Sequence, residues 1–345
     1  MARTEAEFKQ YLEALNGLEE VDRLAHMFSK ATEIAAIVAA RTAGFGDKKG
    51  SDRAAVNAMR AYLNSLPIDA VIEVGEGVKD KAPMLYEGEE VGNGEGPALS
   101  IAVDPLEGTD ATADLKERAS SVLAISERGG LFRLPKGVFY MNKLIVGPEV
   151  RGMVDINAPV AENIQAIAGA LTRDVSDLNI VVLKRERNAR LIEDIRNAGA
   201  RVRAIEYGDL IPGVLTCARG SGIHAVMGIG GAPEGILTAA GIKSLGGEIQ
   251  AKIWAEDEAK LRFLVESGVD VSRVYSQNEL VPGNFIVFSA TAVTDNGRML
   301  QGVRFFGDGA RTNTLLVTAI DGKVKVTTSD STLVIDNTNF QYRFD

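Results

Sequence analysis

The chain has 345 residues, of which 46% are hydrophobic and 25% are charged, and its formal net charge is −9 at pH 7. This composition is typical of a soluble globular protein with one large domain or two subdomains, and it argues against a nucleic-acid surface, which needs clustered lysine and arginine. Cys217 is the only cysteine and His26 and His224 are the only histidines, which excludes an intrachain disulfide and a Cys/His metal cage. Any metal must therefore be held by oxygen.

The first half of the chain predicts two helices followed by short strands. Residues 6–40 have a helical pattern, and a second helix is expected over 53–66, with Ser51 or Asp52 as its N-cap. Short strands are expected at 70–74 ("AVIEV") and 99–103 ("LSIAV"). The charged N-terminus lacks the apolar core of a signal peptide, and no apolar run reaches the roughly 20 residues that cross a bilayer. We therefore expect a cytoplasmic protein without a membrane partner.

The second half alternates between helical and strand patterns, which predicts an α/β fold with mixed sheets covered by helices. The predicted segments, in chain order, are 161–171, 178–184, 189–199, 201–205, 223–229 and 234–247. We expect two subdomains, 1–178 and 179–345, with the site between them. The polar tail after Asp330 is expected to add an edge strand or to fray.

Carboxylates collect where the predicted strands end and where one helix begins. "AVDPLEGTD" contains Asp104 and Glu107, and "IGGAPEG" places Glu234 at a helix start. "VIEVGEGVKDKAP" adds the carboxylates Glu73, Glu76 and Asp80. A single carboxylate at such a position is most often a helix cap or a solvated charge. The combination favours Mg²⁺ or Mn²⁺, because these ions take several oxygen ligands and often share them with a substrate phosphate.

A basic pair and a glycine pair suggest anion binding. In "VVLKRER", the two-residue period of a strand sends Arg185 and Arg187 to the same face, where two guanidiniums can grip a phosphate, although surface charge is the commoner role. Gly230 and Gly231 precede a helix and leave backbone N–H groups for a phosphate nest. The segment "GIGGAP" does not fit the dinucleotide fingerprint, because proline replaces its third glycine.

Four motifs occur in order between about Gly46 and Thr314: "GEGVKDKAPMLYEGEEVG", "DPLEGT", "FYMNKLIVGP" and "GIGGAPEGILTAA". Together they resemble the class II fructose-1,6-bisphosphatases, a branch of the lithium-sensitive sugar and inositol phosphatase superfamily. The resemblance implies a layered α-β-α-β sandwich and metal-dependent hydrolysis of the C1 phosphate of fructose 1,6-bisphosphate to fructose 6-phosphate. It also implies sedoheptulose 1,7-bisphosphate as an additional substrate in bifunctional members, and a cytoplasmic homotetramer or homodimer.

The resemblance also implies a role for each matching residue. Thr109 orients the attacking water with Asp52, and Asp80 is a further acidic residue of the active-site loop. The metal ligands implied are Asp52, Glu76, Asp104, the Leu106 carbonyl, Glu107 and Glu234. The substrate contacts implied are Glu107, Gly108, Thr109, Tyr140, Arg185, Arg187, Tyr207, Asp209 and Gly231.

Three positions depart from the family pattern on the sugar side. The family usually has proline between its two basic residues and histidine after them, where this chain has Glu186 and Asn188. Tyr207 replaces the first of two aspartates that flank a glycine. Three hypotheses remain: a fructose and sedoheptulose bisphosphatase, a phosphatase of the same fold with another sugar or inositol phosphate, and a non-catalytic metabolite-binding relative. Retention of the five metal carboxylates disfavours the third.

Overall fold

The computed structural model describes residues 18–77, 84–297, 299–307, 309–320 and 322–334. These residues form two compact units: the residues up to Gly130 together with those from Gly283 onward, and Leu131–Pro282. The second unit is therefore an insertion in the first. The predicted boundary at residue 178 falls inside this insertion, because the strand at residues 140–146 pairs with strands at 225–231 and 248–254.

The chain enters the first unit through two long helices. Up to Gly130 the elements are α1 (Leu18–Arg41), α2 (Lys48–Asn64), β1 (Asp69–Val74), β2 (Glu90–Val91), β3 (Ala98–Glu107), α3 (Thr109–Ala113) and β4 (Ser120–Glu127). Helix α1 buries Phe28 and Ile34 against the sheet. The hydroxyl of Thr32 on α1 lies 2.8 Å from those of Ser289 and Thr291, so this buried polar group is satisfied.

Helix α2 begins earlier than predicted. Its N-cap is Asp47, whose side chain accepts a hydrogen bond of 2.9 Å from the Gly50 N–H. The predicted caps Ser51 and Asp52 therefore lie within the helix, and that prediction was wrong. An aspartate four residues upstream satisfies the free N–H groups of the first turn equally well, and the pattern alone did not distinguish the two starts.

The second unit contains an alternating α/β segment. Its elements are β5 (Tyr140–Val146), α4 (Val160–Leu171), β6 (Asn179–Leu183), α5 (Ala189–Asn197), β7 (Arg201–Ile205), α6 (Leu210–Leu215), β8 (Ala225–Gly231), α7 (Ala232–Leu245), β9 (Glu248–Trp254), α8 (Glu258–Glu266), β10 (Tyr275–Ser276) and α9 (Gln277–Leu280). The chain then returns to the first unit through β11 (Phe285–Ala292), β12 (Arg304–Phe306), β13 (Gly309–Ile320) and β14 (Lys323–Val334).

Each unit is built on one mixed sheet. The order in the first is β12-β13-β11-β4-β3-β1-β2, with β14 also paired to β13, and the order in the second is β10-β9-β5-β8-β6-β7. Strands β7, β6 and β8 are parallel. A buried cluster joins one face of this second sheet to α4 and α5, through Leu144, Ile164 and Ile195 among others. The predicted α/β fold with mixed sheets is confirmed.

In the part of the chain that the structure describes, no helix combines the length and the apolar character needed to cross a membrane.

Candidate active site

The segment "DPLE" lies at a bulge in the pairing of β3 with β4. Asp104 stands opposite Val122, and Glu107 stands opposite Ser120. Between these two pairs β3 advances by three residues and β4 by two, so β3 contains one extra residue. In a regular strand, residues three apart point to opposite faces. The extra residue in β3 cancels this alternation, so Asp104 and Glu107 lie on one face of the sheet, the face on which their partners Val122 and Ser120 lie.

Hydrogen bonds fix the two carboxylates and the turn between them. The Leu106 N–H donates to Asp104 Oδ1 at 3.2 Å, and the Ser120 hydroxyl donates to Glu107 Oε2 at 3.3 Å. The Thr109 hydroxyl donates to the Leu106 carbonyl at 3.1 Å. Glu107 is buried. The turn therefore holds its oxygen atoms in a defined arrangement.

Gly108 is the residue that lets β3 turn directly into α3. It has φ +80°, a left-handed conformation that only glycine adopts readily. An ideal Cβ at this position would lie 2.8 Å from the Arg118 carbonyl oxygen and 3.2 Å from the Ala119 Cα. Both the backbone conformation and the close approach of another segment therefore require glycine here.

Asp52 lies on the side of α2 that is tied to the same turn. Lys48 on α2 forms an ion pair with Asp110, the residue after Thr109. Lys48 and Asp52 are four residues apart and so share a helix face. The Gly46 N–H also donates to the Ala113 carbonyl at 3.0 Å, which fastens the start of α2 to α3. Burial raises the pKa of Asp52.

Glu76 leaves the sheet beside Asp104. The last parallel pair between β1 and β3 is Val74 with Ala102, and Glu76 and Asp104 each lie two residues beyond it. The Glu76 N–H donates to the Leu85 carbonyl at 2.9 Å. Glu73, by contrast, lies within β1 and accepts from the Ser100 hydroxyl at 3.2 Å. Asp80 lies outside the described residues.

In the second unit, predicted substrate residues and the predicted metal ligand Glu234 follow the carboxyl ends of the three parallel strands. Arg185 and Arg187 follow β6, Tyr207 and Asp209 follow β7, and Glu234 follows β8. Tyr140 begins the antiparallel strand β5 and so lies at the same edge of the sheet. The chain leaves β6 for β7 on one side and later returns to β8 on the other, which makes a topological switch point, the usual ligand site of α/β sheets.

Aromatic rings hold both guanidiniums of the basic pair. The Arg187 guanidinium lies 4.5 Å from the centre of the Tyr140 ring, and its Nε donates to the Ile229 carbonyl at 3.2 Å. The Arg185 guanidinium lies 5.8 Å from the centre of the Tyr207 ring. Neither arginine forms an ion pair with another described residue. Both cations are therefore oriented without being neutralised, as a phosphate-binding pair requires.

Asn188, one of the departures from the family pattern, completes the pairing of two strands. Its amide nitrogen donates to the carbonyls of Leu183 and Ile229, at 3.0 and 3.1 Å, and its Oδ1 accepts from the Ile229 N–H at 2.8 Å. The backbone ladder between β6 and β8 is recorded only at Ile180 with Ala225 and Val181 with Val226. The Asn188 side chain thus bridges the strands beyond the point where their own ladder ends.

A buried ion pair that the sequence analysis did not identify lies at the same edge. Lys143 Nζ is 2.7 Å from Asp209 Oδ2, and both side chains are almost wholly buried. The signal in the sequence was a lysine directly before the apolar run "LIV" in the strand "YMNKLIV". Lysine is seldom fully buried without a partner, so this pattern predicts a paired cation, although it does not identify Asp209.

Glu234 lies in the first turn of α7 and folds back over its N-cap, Gly231. An ideal Cβ at Gly231 would lie 1.8 Å from Glu234 Oε2, so only glycine leaves room for this carboxylate. Burial raises the pKa of Glu234, and the nearby Lys143 and Arg187 cations oppose this effect. Oε2 is buried and accepts no hydrogen bond from the described residues.

The oxygen atoms of the predicted ligands are the type of donor that a hard divalent cation prefers. Within the described ranges, no three acidic, imidazole or thiol side chains converge into a complete metal cage. The predicted ligands are, however, all oxygen donors, and the buried Oε2 of Glu234 lacks a partner in the described residues. Asp104 and Glu107 share one face beside Glu76. A cation bound by Glu234 would give the buried Oε2 atom the partner that it lacks among the described residues.

Comparison with known proteins places the chain in a family. Residues 22–331 match the family described as "Bacterial fructose-1,6-bisphosphatase, glpX-encoded". The chain belongs to this family of phosphatases. The resemblance to class II fructose-1,6-bisphosphatases inferred from the four sequence motifs is therefore confirmed.

Similar proteins are known from cyanobacterial strains. A protein of Prochlorococcus marinus (strain NATL1A), named D-fructose 1,6-bisphosphatase class 2/sedoheptulose 1,7-bisphosphatase, is 40% identical over 309 residues, which cover 86% of this chain and 92% of the relative. A protein of Synechococcus sp. (strain JA-3-3Ab) with the same name is 43% identical over 312 residues, which cover 83% and 89%. A second Synechococcus protein (strain JA-2-3B'a(2-13)) has the same name and the same identity.

Proposed function

We propose that this protein hydrolyses the C1 phosphate of fructose 1,6-bisphosphate to fructose 6-phosphate and phosphate, and that it also accepts sedoheptulose 1,7-bisphosphate. The main support is the family match over residues 22–331, together with three relatives whose names give both activities. The strand-end carboxylates and the paired arginines supply the two functions that a bisphosphate substrate needs. One group serves the reacting phosphate and the other grips the second phosphate.

The proposed metal ligands are Asp52, Glu76, Asp104, the Leu106 carbonyl, Glu107 and Glu234, with Mg²⁺ or Mn²⁺ as the ion. When bound, such an ion would supply positive charge for the phosphoryl oxygens and lower the pKa of water. The protein's own part is to hold these oxygens in place, through the bulge in β3 and the Ser120 hydrogen bond to Glu107. Asp80 is proposed as a further acidic residue of the site.

Thr109 is proposed to orient the attacking water together with Asp52. The water gives up one proton as its oxygen bonds to phosphorus, the bond from phosphorus to the C1 oxygen breaks, and the C1 oxygen takes up one proton, so that one water is consumed for each phosphate released. We expect Thr109→Ala to lower kcat by about 10²–10⁴-fold, because the water loses a positioning partner. Metal affinity, measured by calorimetry, should change little, since no carboxylate is removed. An unchanged kcat would assign Thr109 to the turn alone, through its bond to Leu106.

The second phosphate is proposed to bind Arg185 and Arg187, with Tyr140, Tyr207, Asp209 and Gly231 around the sugar and Glu107, Gly108 and Thr109 around the reacting phosphate. We expect Arg187→Ala to raise KM for fructose 1,6-bisphosphate by about tenfold to a hundredfold, since a charge-assisted hydrogen bond is lost. Arg190→Ala is the matched control, because Arg190 is exposed on α5 and, among the described residues, pairs only with Asp194. Equal KM values for the two variants would contradict the assignment.

The test of the function is phosphate release from a panel of sugar and inositol phosphates, with Mg²⁺, with Mn²⁺ and after EDTA. We expect the two ketose bisphosphates to be the best substrates, activity to disappear with EDTA, and either ion to restore it. Full turnover by metal-free enzyme would contradict the metal-dependent mechanism. Absence of turnover on every substrate would favour the non-catalytic alternative.

A second candidate is a phosphatase of the same fold with a shifted substrate. The favouring observation is Tyr207, which supplies a ring face to Arg185 where the family pattern supplies a carboxylate. In the same panel, an inositol phosphate or a sugar monophosphate that outcompetes the ketose bisphosphates would establish this alternative.

A cytoplasmic homotetramer or homodimer is proposed from the family resemblance, and sedimentation of the purified protein tests the assembly.

A further inference from the structure

The Lys143 side chain runs along β8, where Gly230 leaves room for its ammonium group. It stands opposite Gly228 across the β5–β8 ladder, and the preceding inward-facing residue, Met141, stands opposite Gly230. An ideal Cβ at Gly230 would lie 2.7 Å from Lys143 Nζ and 3.1 Å from its Cε. Alanine at this position of β8 would therefore collide with the lysine, and glycine lets the long side chain run along the strand.

The ammonium group of Lys143 joins three segments of the second unit. Lys143 Nζ lies 2.7 Å from Asp209 Oδ2 and donates to the Gly231 carbonyl at 3.4 Å. Strand β5 is thereby tied to the residue before α6 and to the junction of β8 with α7. Lys143 and Asp209 are only 1% and 6% exposed, so water does not compete for these contacts.

The Asp209 carboxylate is held by this lysine and not by its own helix. Asp209 is the N-cap of α6, yet its side chain makes no capping hydrogen bond. Lys143 pairs with Oδ2 of Asp209, and no described residue donates a hydrogen bond to Oδ1 of Asp209. A buried ion pair of this kind is seldom more stable than an apolar pair of the same volume, so stability alone does not account for it.

We propose that Lys143 is a positioning residue that acts through Asp209. It fixes the carboxylate so that Oδ1 is presented to the hydroxyl groups of the sugar, and it thereby sets affinity for the sugar rather than the rate of phosphate transfer. The proposal rests on the proposed function, in which Asp209 contacts the sugar. It assigns Lys143 no contact with the substrate.

The test compares Lys143→Met, Asp209→Asn and the double variant. We expect each single change to raise KM for fructose 1,6-bisphosphate by about tenfold to a hundredfold with kcat nearly unchanged. The double variant should be no worse than Asp209→Asn alone, because the lysine then has no carboxylate to orient. Hydrolysis of p-nitrophenyl phosphate, which has no sugar hydroxyls, should fall less in each variant than hydrolysis of fructose 1,6-bisphosphate. Calorimetric binding of fructose 6-phosphate should weaken in parallel with KM.

Three results would overturn the proposal. One is an unchanged KM in folded Lys143→Met, the second is an equal loss of activity on p-nitrophenyl phosphate, and the third is a KM increase from Lys143→Met that persists in the Asp209→Asn background. If Lys143→Met alone does not fold, the comparison of the double variant with Asp209→Asn still decides, because the double variant leaves neither charge buried alone.

A matched control separates positioning from general destabilisation. Arg60→Met removes a half-buried ion pair of the first unit, in which Arg60 Nε lies 2.5 Å from Glu89 Oε1. This variant should have a lower Tm and an unchanged KM. Failure of the proposed function would appear in the parent enzyme, as absent turnover of fructose 1,6-bisphosphate. If the parent also failed to bind fructose 6-phosphate, the role of Lys143 would fall with that function.

Discussion

Glu107→Gln is expected to abolish turnover while leaving the protein folded. The amide keeps the volume of the carboxylate and can still accept from the Ser120 hydroxyl, but it loses the charge proposed to hold the metal. We expect kcat to fall by at least about 10³-fold, since the loss affects charge stabilisation in the transition state. The measurement is kcat at saturating Mn²⁺, with thermal unfolding recorded on the same samples.

Asp114→Asn is the control for this charge removal. Asp114 lies just after α3 and pairs with Lys116 at 3.2 Å on the surface. Its kcat should remain within about threefold of the parent, because screened surface pairs contribute little. Parent-like kcat in Glu107→Gln would remove Glu107 from the proposed ligand set.

Gly108→Ala is expected to damage both stability and catalysis. The new methyl group would meet the Arg118 carbonyl at 2.8 Å and would also strain the φ of +80°. The turn would have to shift, and Glu107 and Thr109 on either side would move with it. A displacement of about 1 Å at a reacting group can cost about 10²-fold in rate, and we expect a fall in kcat of that size.

Gly129→Ala separates backbone strain from collision. Gly129 has a similar φ of +83°, but nothing lies within 4 Å of its ideal Cβ. We expect this variant to lose about 1–2 kcal/mol of unfolding free energy from strain alone and to keep its kcat. If both variants lost activity equally, the close approach to Arg118 would not be the cause.

Helices and strands were predicted well from the sequence where a short run of residues carries the hydrophobic pattern of the element. Strand β1, helices α4, α5 and α7, and the strands of the parallel group were all expected close to their observed positions. Strands β11 and β13 were not predicted, although both are interior strands of the first sheet. Their partners are remote, since Ile286 pairs with Ser126, and no short-range pattern encodes such a pairing.

The candidate site was predicted as a set of residue types at strand ends, but the contacts of these residues could not be predicted. The same-face arrangement of Asp104 and Glu107 depends on a register shift that becomes visible only when β3 is paired with β4. Lys143 was missed because its partner, Asp209, is remote in sequence and belongs to the loop before α6. Asn188 was interpreted as a change on the sugar side, whereas its amide is occupied by the backbone of β6 and β8.

The nesting of one unit inside the other sets an order for biosynthesis. The insertion begins and ends at adjacent points, because the Gly283 N–H donates to the Gly130 carbonyl at 3.1 Å. Leu131–Pro282 is one continuous stretch and can complete its own sheet as it leaves the ribosome. Strand β4 must wait for β11, which is synthesised only after the whole insertion. The strand that carries Asp104 and Glu107 therefore has a neighbour with an open edge during synthesis, and the first sheet is the last part of the molecule to close.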